Sequence, residues 1–292
     1  MAQIANQSLQ AIFSPLNPNG SFQPETLRHL QALGAQRPVV MLCFPPKAAG
    51  TYFRTAVYYA VDGQLVRTVH AQGGRDAQLY LPTFIGYFAG GVTPRVMVSH
   101  VHMQALPANI AFLEAFNIRP VVMMRSIPDM LASYWDMLET DPEARKDGLN
   151  CQIPENFPDL PSQTKANFLV DIMGPWYASF FATWVRYEDE YPDRALILRY
   201  SEFKSDPVQT LARALSHSRL PRSPALCRAA LDKAWSERDL CRYNKGEEGR
   251  GARYFTPDHI ARLRRMLGAY THLELYEDEL LSIARPALAQ AV

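Results

Sequence analysis

Short apolar runs, each followed by a helical stretch, constrain the fold of this chain more than any other feature. Val39-Val40-Met41-Leu42-Cys43-Phe44 has no polar break. Such a run is too short for a core helix and does not alternate, so it predicts a strand buried on both faces of a parallel sheet. Arg95-Val96-Met97-Val98-Ser99, Pro120-Val121-Val122-Met123-Met124 and Arg194-Ala195-Leu196-Ile197-Leu198-Arg199-Tyr200 repeat the signal. Helical stretches fall between them over residues 51–61, 107–116, 126–138 and 166–190. Strand and helix in alternation predict an α/β fold of three layers, a central parallel sheet flanked by helices. A short helix over 25–35 precedes the first strand. The remainder is helical over 203–217, 222–235, 257–269 and 273–285, broken by the glycine-rich stretch 244–252. We read a single domain over 1–292, with an N-terminal extension over 1–36. The Pro-, Asp-, Asn- and Gly-rich segment 140–163 is expected to be a mobile loop or lid.

Composition narrows the partners. Of 292 residues, 48% are hydrophobic and 20% charged, and the formal net charge is +1. That is apolar enough to fold and too neutral for a nucleic-acid binder held by bulk electrostatics. Only 6 of the 30 basic residues are Lys, so each ammonium, a compact point charge unlike the guanidinium fork, draws attention. Arg-rich, Lys-poor usage suggests a GC-rich bacterial genome. The N-terminus lacks a signal-peptide pattern, and no apolar run is long enough to span a membrane. Cys43, Cys151, Cys227 and Cys241 match no zinc or redox spacing, so a cytoplasmic setting is expected. Cys43 reads as an inert core residue.

In parallel sheets ligands sit beyond the carboxyl ends of the strands. After the first strand comes Pro45-Pro46-Lys47-Ala48-Ala49-Gly50-Thr51-Tyr52. Small residues let successive amides face one anion, the following helix adds its positive end, and Lys47 and Thr51 add a charge and a hydroxyl. This is a P-loop-like phosphate cradle without the Walker spacing. After the third strand comes Arg125, with Ser133 two helical turns further on, a pairing suited to a cluster of anionic oxygens. The third stretch is Asn244-Lys245-Gly246-Glu247-Glu248-Gly249-Arg250-Gly251-Ala252-Arg253-Tyr254-Phe255-Thr256. Its glycines give a pliable loop whose amides can wrap an anion, and Lys245, Arg250 and Arg253 add cations. Thr256 suits an N-cap for the next helix. His100 and His102 lie at the end of a strand on one side of it, where a neutral imidazole can take a proton. They lack a third ligand with metal spacing. The other histidines, His259 and His217 among them, read as surface or structural.

Taken together, these motifs resemble the sulfotransferase family that uses 3′-phosphoadenosine-5′-phosphosulfate (PAPS), especially its cytosolic branch. Pro46-Lys47-Ala48-Ala49-Gly50-Thr51-Tyr52 is similar to the family's P-K-S-G-T-T-W loop, Arg125 to Ser133 keeps its R-x7-S spacing, and the stretch from Asn244 to Thr256 resembles R-K-G-x2-G-x5-F-T. Gly174-Pro175-Trp176-Tyr177 resembles G-S-W-Y, and Leu198-Arg199-Tyr200-Ser201-Glu202-Phe203 resembles L-F-Y-E-D-M. The motifs run in the family's order from about residue 38 to 270.

The resemblance implies sulfuryl transfer from PAPS to an acceptor alcohol or phenol, leaving 3′-phosphoadenosine 5′-phosphate (PAP), with no metal required. It makes His100 the base, with His102 the alternative, and Lys47 the charge opposite the leaving oxygen. Lys47, Ala48, Ala49, Gly50, Thr51 and Tyr52 would hold the 5′ end and the adenine. Arg125, Ser133, Asn244, Lys245 and Gly246 would hold the 3′-phosphate, with Tyr200 by the adenosine. Tyr80, Phe84, Tyr87 and Phe88 fall in the region that borders the acceptor pocket, implying an apolar or aromatic small molecule. This chain departs from the family at Val98, where Lys is usual, at Asn244 for Arg, at Tyr52 for Trp and at Ala49 for Gly. Arg250 or Arg253 can compensate for Asn244. A small-molecule kinase with an atypical P-loop, or a non-catalytic nucleotide-binding module, are the alternatives.

Overall fold

The computed structural model describes residues 23–36, 38–70, 79–89, 95–146, 151–239 and 246–282. Asn244, Lys245 and Cys241 therefore lie outside the described residues, as does most of the N-terminal extension. The elements run α1 (Pro24–Gln36), β1 (Val39–Cys43), α2 (Gly50–Ala60), β2 (Gln64–Leu65), α3 (Leu81–Ala89), β3 (Met97–Val101) and α4 (Pro107–Ala115). They continue with β4 (Val121–Met124), α5 (Ile127–Thr140), α6 (Pro142–Lys146), α7 (Ser162–Phe168), α8 (Gly174–Glu190) and β5 (Leu196–Arg199). The last are α9 (Tyr200–Ser205), α10 (Pro207–His217), α11 (Pro224–Ser236), α12 (Pro257–Leu267) and α13 (Glu277–Leu280).

The five strands form one parallel sheet in the order β2-β3-β1-β4-β5. β1 is central, and every residue of it is buried, as its unbroken apolar run requires. The chain leaves β1 toward β2 and β3 on one side and later returns to β4 on the other. The carboxyl end of β1 is thus a topological switch point, where open α/β sheets bind ligands. Register puts His100 beside Leu42, so the end of β3 lies next to the end of β1. β2 and β5 are edges, and the exposed two-residue β2 carries too little pattern to be read from sequence.

Burial explains the helices. Ser126 caps α5 and accepts from the Asp129 amide at 3.4 Å, and Thr256 caps α12, accepting from the His259 amide at 3.5 Å. The long helix expected over 166–190 contains a π-helical turn, Leu169–Met173, between α7 and α8. The segment expected to be a lid has ordered parts. Phe157 is fully buried, and Lys165 reaches back to the Pro158 carbonyl at 2.6 Å and to Glu139 at 2.7 Å. Residues 147–150 lie outside the described residues.

Candidate functional site

The first loop is held by its carbonyls. Tyr177, fully buried on α8, donates its hydroxyl to the Pro46 carbonyl at 3.2 Å. Arg125 donates from Nη1 to the Lys47 carbonyl at 2.5 Å. Both carbonyls are engaged by donors, which keeps their negative ends away from an incoming anion. Lys47 and Ala49 take left-handed φ of 67° and 60°. Ala49 is the N-cap of α2 and its side chain supplies no capping oxygen to the first turn, whose amides have no intrahelical acceptor. An anion is the natural complement to such a helix end.

His100 and Gly50 define how close this loop comes to β3. A Cβ built at Gly50 would lie 2.2 Å from His100 Nε2. The imidazole therefore sits directly over the start of α2, where any Cβ would push it aside. His102 packs edge-on to His100, with ring centroids 5.0 Å apart, and its Nδ1 is 2.6 Å from the Phe44 carbonyl. A carbonyl only accepts, so Nδ1 carries the proton and Nε2 is the basic nitrogen of neutral His102. Both candidate bases thus lie beside the loop. Val98 is fully buried in the sheet.

Arg125 braces the site. It is 7% exposed, and its guanidinium lies over the Tyr200 ring at 4.1 Å. Nη2 donates to the Glu247 carbonyl at 3.2 Å, so one side chain joins β4, the first loop and the glycine-rich loop. Its Nε is buried and meets no acceptor among the described residues. Ser133, also buried, lies on the same helix that Arg125 precedes. Lys47 Nζ lies 3.6 Å from the thioether of Met137, one turn beyond Ser133.

The glycine-rich loop differs from expectation in two respects. Gly246 and Gly249 do take positive φ, 61° and 75°. The amides of Gly249 and Gly251, however, both donate to the carboxylate of Asp129, at 2.8 and 2.9 Å. The loop wraps an anion that the protein itself supplies. Arg250 is not available to compensate for Asn244, because it is buried in an ion pair with Asp136, which also accepts from the Tyr254 hydroxyl at 2.5 Å. Burial lowers the Arg250 pKa, but the Asp136 hydrogen bond and charge outweigh it and leave it raised. Burial, then Asp136, pushes the Tyr254 hydroxyl up, which keeps it a neutral donor. Arg253 remains half-exposed, 3.5 Å from Glu247.

The aromatic candidates separate. Phe84 belongs to the core rather than to a pocket wall: it is fully buried between Phe112 and Phe116. Tyr87 accepts the Arg67 amide at 3.1 Å, Tyr80 is 40% exposed beside His70, and the side chain of Phe88 lies outside the described residues. Tyr52 packs against Phe203 and edge-on against Trp235, at 6.0 Å in each case. Trp235 is 44% exposed and carries Arg238 over its ring. Sequence reasoning missed Asp129, Asp136, Met137 and Trp235, whose roles depend on contacts across about 90 or more residues. Burial holds the Cys43 thiol well above its usual pKa, the inert state expected of it. Among the described residues no His, Cys, Asp and Glu grouping suits a metal ion, and no helix is long and apolar enough to cross a membrane.

The fold and site define an α/β protein that gathers a lysine, a buried arginine, two imidazoles and a helix N-terminus at the carboxyl end of a parallel sheet. A sulfotransferase domain model matches residues 91–238, which include His100 on β3, His102 just after it, Arg125, Ser133 and Tyr200. The chain belongs to the sulfotransferase family. Its fold is similar to that of mouse sulfotransferase SULT7A1 complexed with PAP, at a TM-score of 0.60, 14% identity and coverage of 90% of this chain and 95% of that one. Retinol dehydratase in complex with androsterone and inactive cofactor PAP gives a TM-score of 0.49 at 12% identity over 88% of each chain. Retinol dehydratase with retinol and PAP gives 0.48 at 11%, over 88% of this chain and 89% of that one. No curated protein matches the sequence.

Proposed function

We propose that this sulfotransferase takes its sulfuryl group from PAPS and passes it to the hydroxyl of a small apolar or aromatic acceptor. One observation carries the reading most directly: Lys47 and Gly50 lead into the helix after β1, and the His100 imidazole lies against Gly50 where a side chain would displace it. The residues present suit the donor. Buried Arg125 Nε meets no acceptor among the described residues, Ser133 follows on the adjoining helix, and the uncapped start of α2 faces the loop. The complex of the mouse neighbour with PAP supports the same donor.

PAPS supplies an activated sulfuryl group and a phosphate leaving group. Around it, the α2 amides and Thr51 hold the 5′ end, and Lys47 neutralises charge on the leaving oxygen. Arg125, Ser133, Lys245 and Gly246 hold the 3′-phosphate. Tyr52 and Trp235 provide aromatic surface for the adenine. His100 takes the proton from the acceptor hydroxyl as the new oxygen–sulfur bond forms, with His102 packed edge-on behind it.

Labelled-sulfate transfer from PAPS across a panel of phenols, apolar alcohols and sugars tests this. Phenols or apolar alcohols should be sulfated, and His100→Ala should abolish transfer while PAP binding survives. Turnover of ATP in place of PAPS, or tight PAP binding without transfer to any acceptor, would favour a kinase or a non-catalytic module instead.

A further inference from the structure

Asp129 is 2% exposed, and a carboxylate buried that deeply requires strong partners. Its partners are two backbone amides of a distant segment, Gly249 at 2.8 Å and Gly251 at 2.9 Å. Two amides two residues apart on one carboxylate form a concave nest around an anion. Gly249 reaches it with a φ of 75°, which glycine adopts without steric cost. Gly251 comes so near the first turn of α5 that a Cβ there would lie 2.4 Å from Pro128 Cβ and 2.9 Å from its carbonyl carbon. Asp129 lies four residues after Arg125, and Arg125 holds the same loop by the Glu247 carbonyl at 3.2 Å. Segment 246–251 is therefore fastened at both ends to the start of one helix.

We infer that Asp129 is a positioning residue that sets selectivity for a nucleotide carrying a 3′-phosphate. It draws the far end of the loop onto α5, and with Arg125 it fixes the Gly246 end beside the guanidinium before any ligand arrives. The inference rests on the PAPS reading above, which assigns Arg125, Ser133, Lys245 and Gly246 to that phosphate. The carboxylate charge is chemically required. Asparagine retains one acceptor but turns an NH2 group toward an amide N–H, so two donors face each other and a charge-assisted bond is lost.

Calorimetry with PAP and AMP, which differ only by the 3′-phosphate, tests it on wild type and Asp129→Asn. The PAP Kd should rise about ten- to a hundredfold in the variant, as expected for loss of a hydrogen bond to a charged group. The AMP Kd should change less than about twofold, because AMP does not use this loop. A variant that loses thermal stability but keeps the wild-type ratio of PAP to AMP affinity would overturn the inference and leave Asp129 a purely structural group. Wild type that binds neither nucleotide would sink the donor reading itself. Hydrogen exchange on the wild-type protein covers the case in which the variant does not fold. The Gly249 and Gly251 amides should be protected without nucleotide, and free exchange there until PAP binds would refute preorganisation.

Discussion

The two loops with the same kind of sequence do different things with their backbone. Residues 44–50 and 246–251 both combine a cation, small residues and left-handed φ. In the first, Tyr177 and Arg125 take the carbonyls, and the helix behind it starts without a side-chain cap. In the second, Asp129 takes two of the amides, and Asp136 takes the cation Arg250. The first loop has its carbonyls taken by donors, whereas the second is closed onto an internal carboxylate. A segment of small residues with a cation thus identifies a backbone able to surround an anion. Which anion it surrounds depends on the side chains that fold against it.

Removing the cation of the first loop and the exposed cation just beyond the second should give the largest contrast. Lys47→Ala is expected to lower kcat about 10²- to 10³-fold, the usual cost of removing one group that stabilises developing charge. Arg253→Ala, an exposed pair with Glu247, should change stability by no more than about 1 kcal/mol and leave turnover near wild type. Comparable losses in both would erase the distinction between the loops.

A methyl group placed in each loop should come next. Gly251→Ala meets Pro128 backbone as well as its ring, so something rigid must move, and a loss of about 1–3 kcal/mol in chemical denaturation is expected. In Gly50→Ala the nearest atoms belong to the His100 imidazole rather than to backbone, so the methyl group displaces the candidate base. The substitution should lower kcat more than it lowers Tm. An inactive Gly251→Ala with unchanged Tm would reverse this assignment.

Acid should weaken the support of the glycine-rich loop. His259 Nδ1 accepts the Thr256 amide at 3.0 Å, just after the glycine-rich loop, and burial, then Arg262, lowers its pKa. Burial, then Arg119, lowers that of His217. For an imidazole lowered in the folded state, the unfolded chain binds the proton first. That contribution is complete above the ordinary value of about 6.5 and is lost as pH falls from there toward the lowered value. Urea midpoints should therefore drop between about pH 7.5 and 5.5, and His259→Gln should remove part of the slope. The variant isolates the imidazole from Glu279, whose burial-raised pKa acts in the opposite sense.

The smallest expected effect is a gain. Ala49 holds a φ of 60°, where a Cβ costs roughly 1 kcal/mol, so Ala49→Gly should raise stability by up to about that amount. An unchanged or lower denaturation midpoint would mean that the surrounding contacts already absorb the strain.

Much of the frame was legible in the sequence because it depends on local periodicity. The buried run Val39–Phe44, the helix after Ser126 and the cap at Thr256 are each written within a dozen residues. The candidate residues His100, Lys47, Gly50, Arg125 and Tyr200 also come together as expected from the ends of successive parallel strands. Misreadings fell where a residue's partner is distant in sequence. Arg250 looks like a free cation until Asp136 lies against it, and Phe84 looks like a pocket wall until Phe112 and Phe116 enclose it. Trp235 gains meaning only from Tyr52, on a helix about 180 residues earlier.

The amino-acid sequence by itself determined the parallel sheet, its switch point and the residue types delivered there, because apolar runs, caps and turn residues act over a few positions. Only the tertiary structure decided which charges are committed internally and which face a ligand. That choice depends on desolvation and hydrogen bonding between segments far apart in the chain, and Asp129, buried beneath two glycine amides, is where it was made.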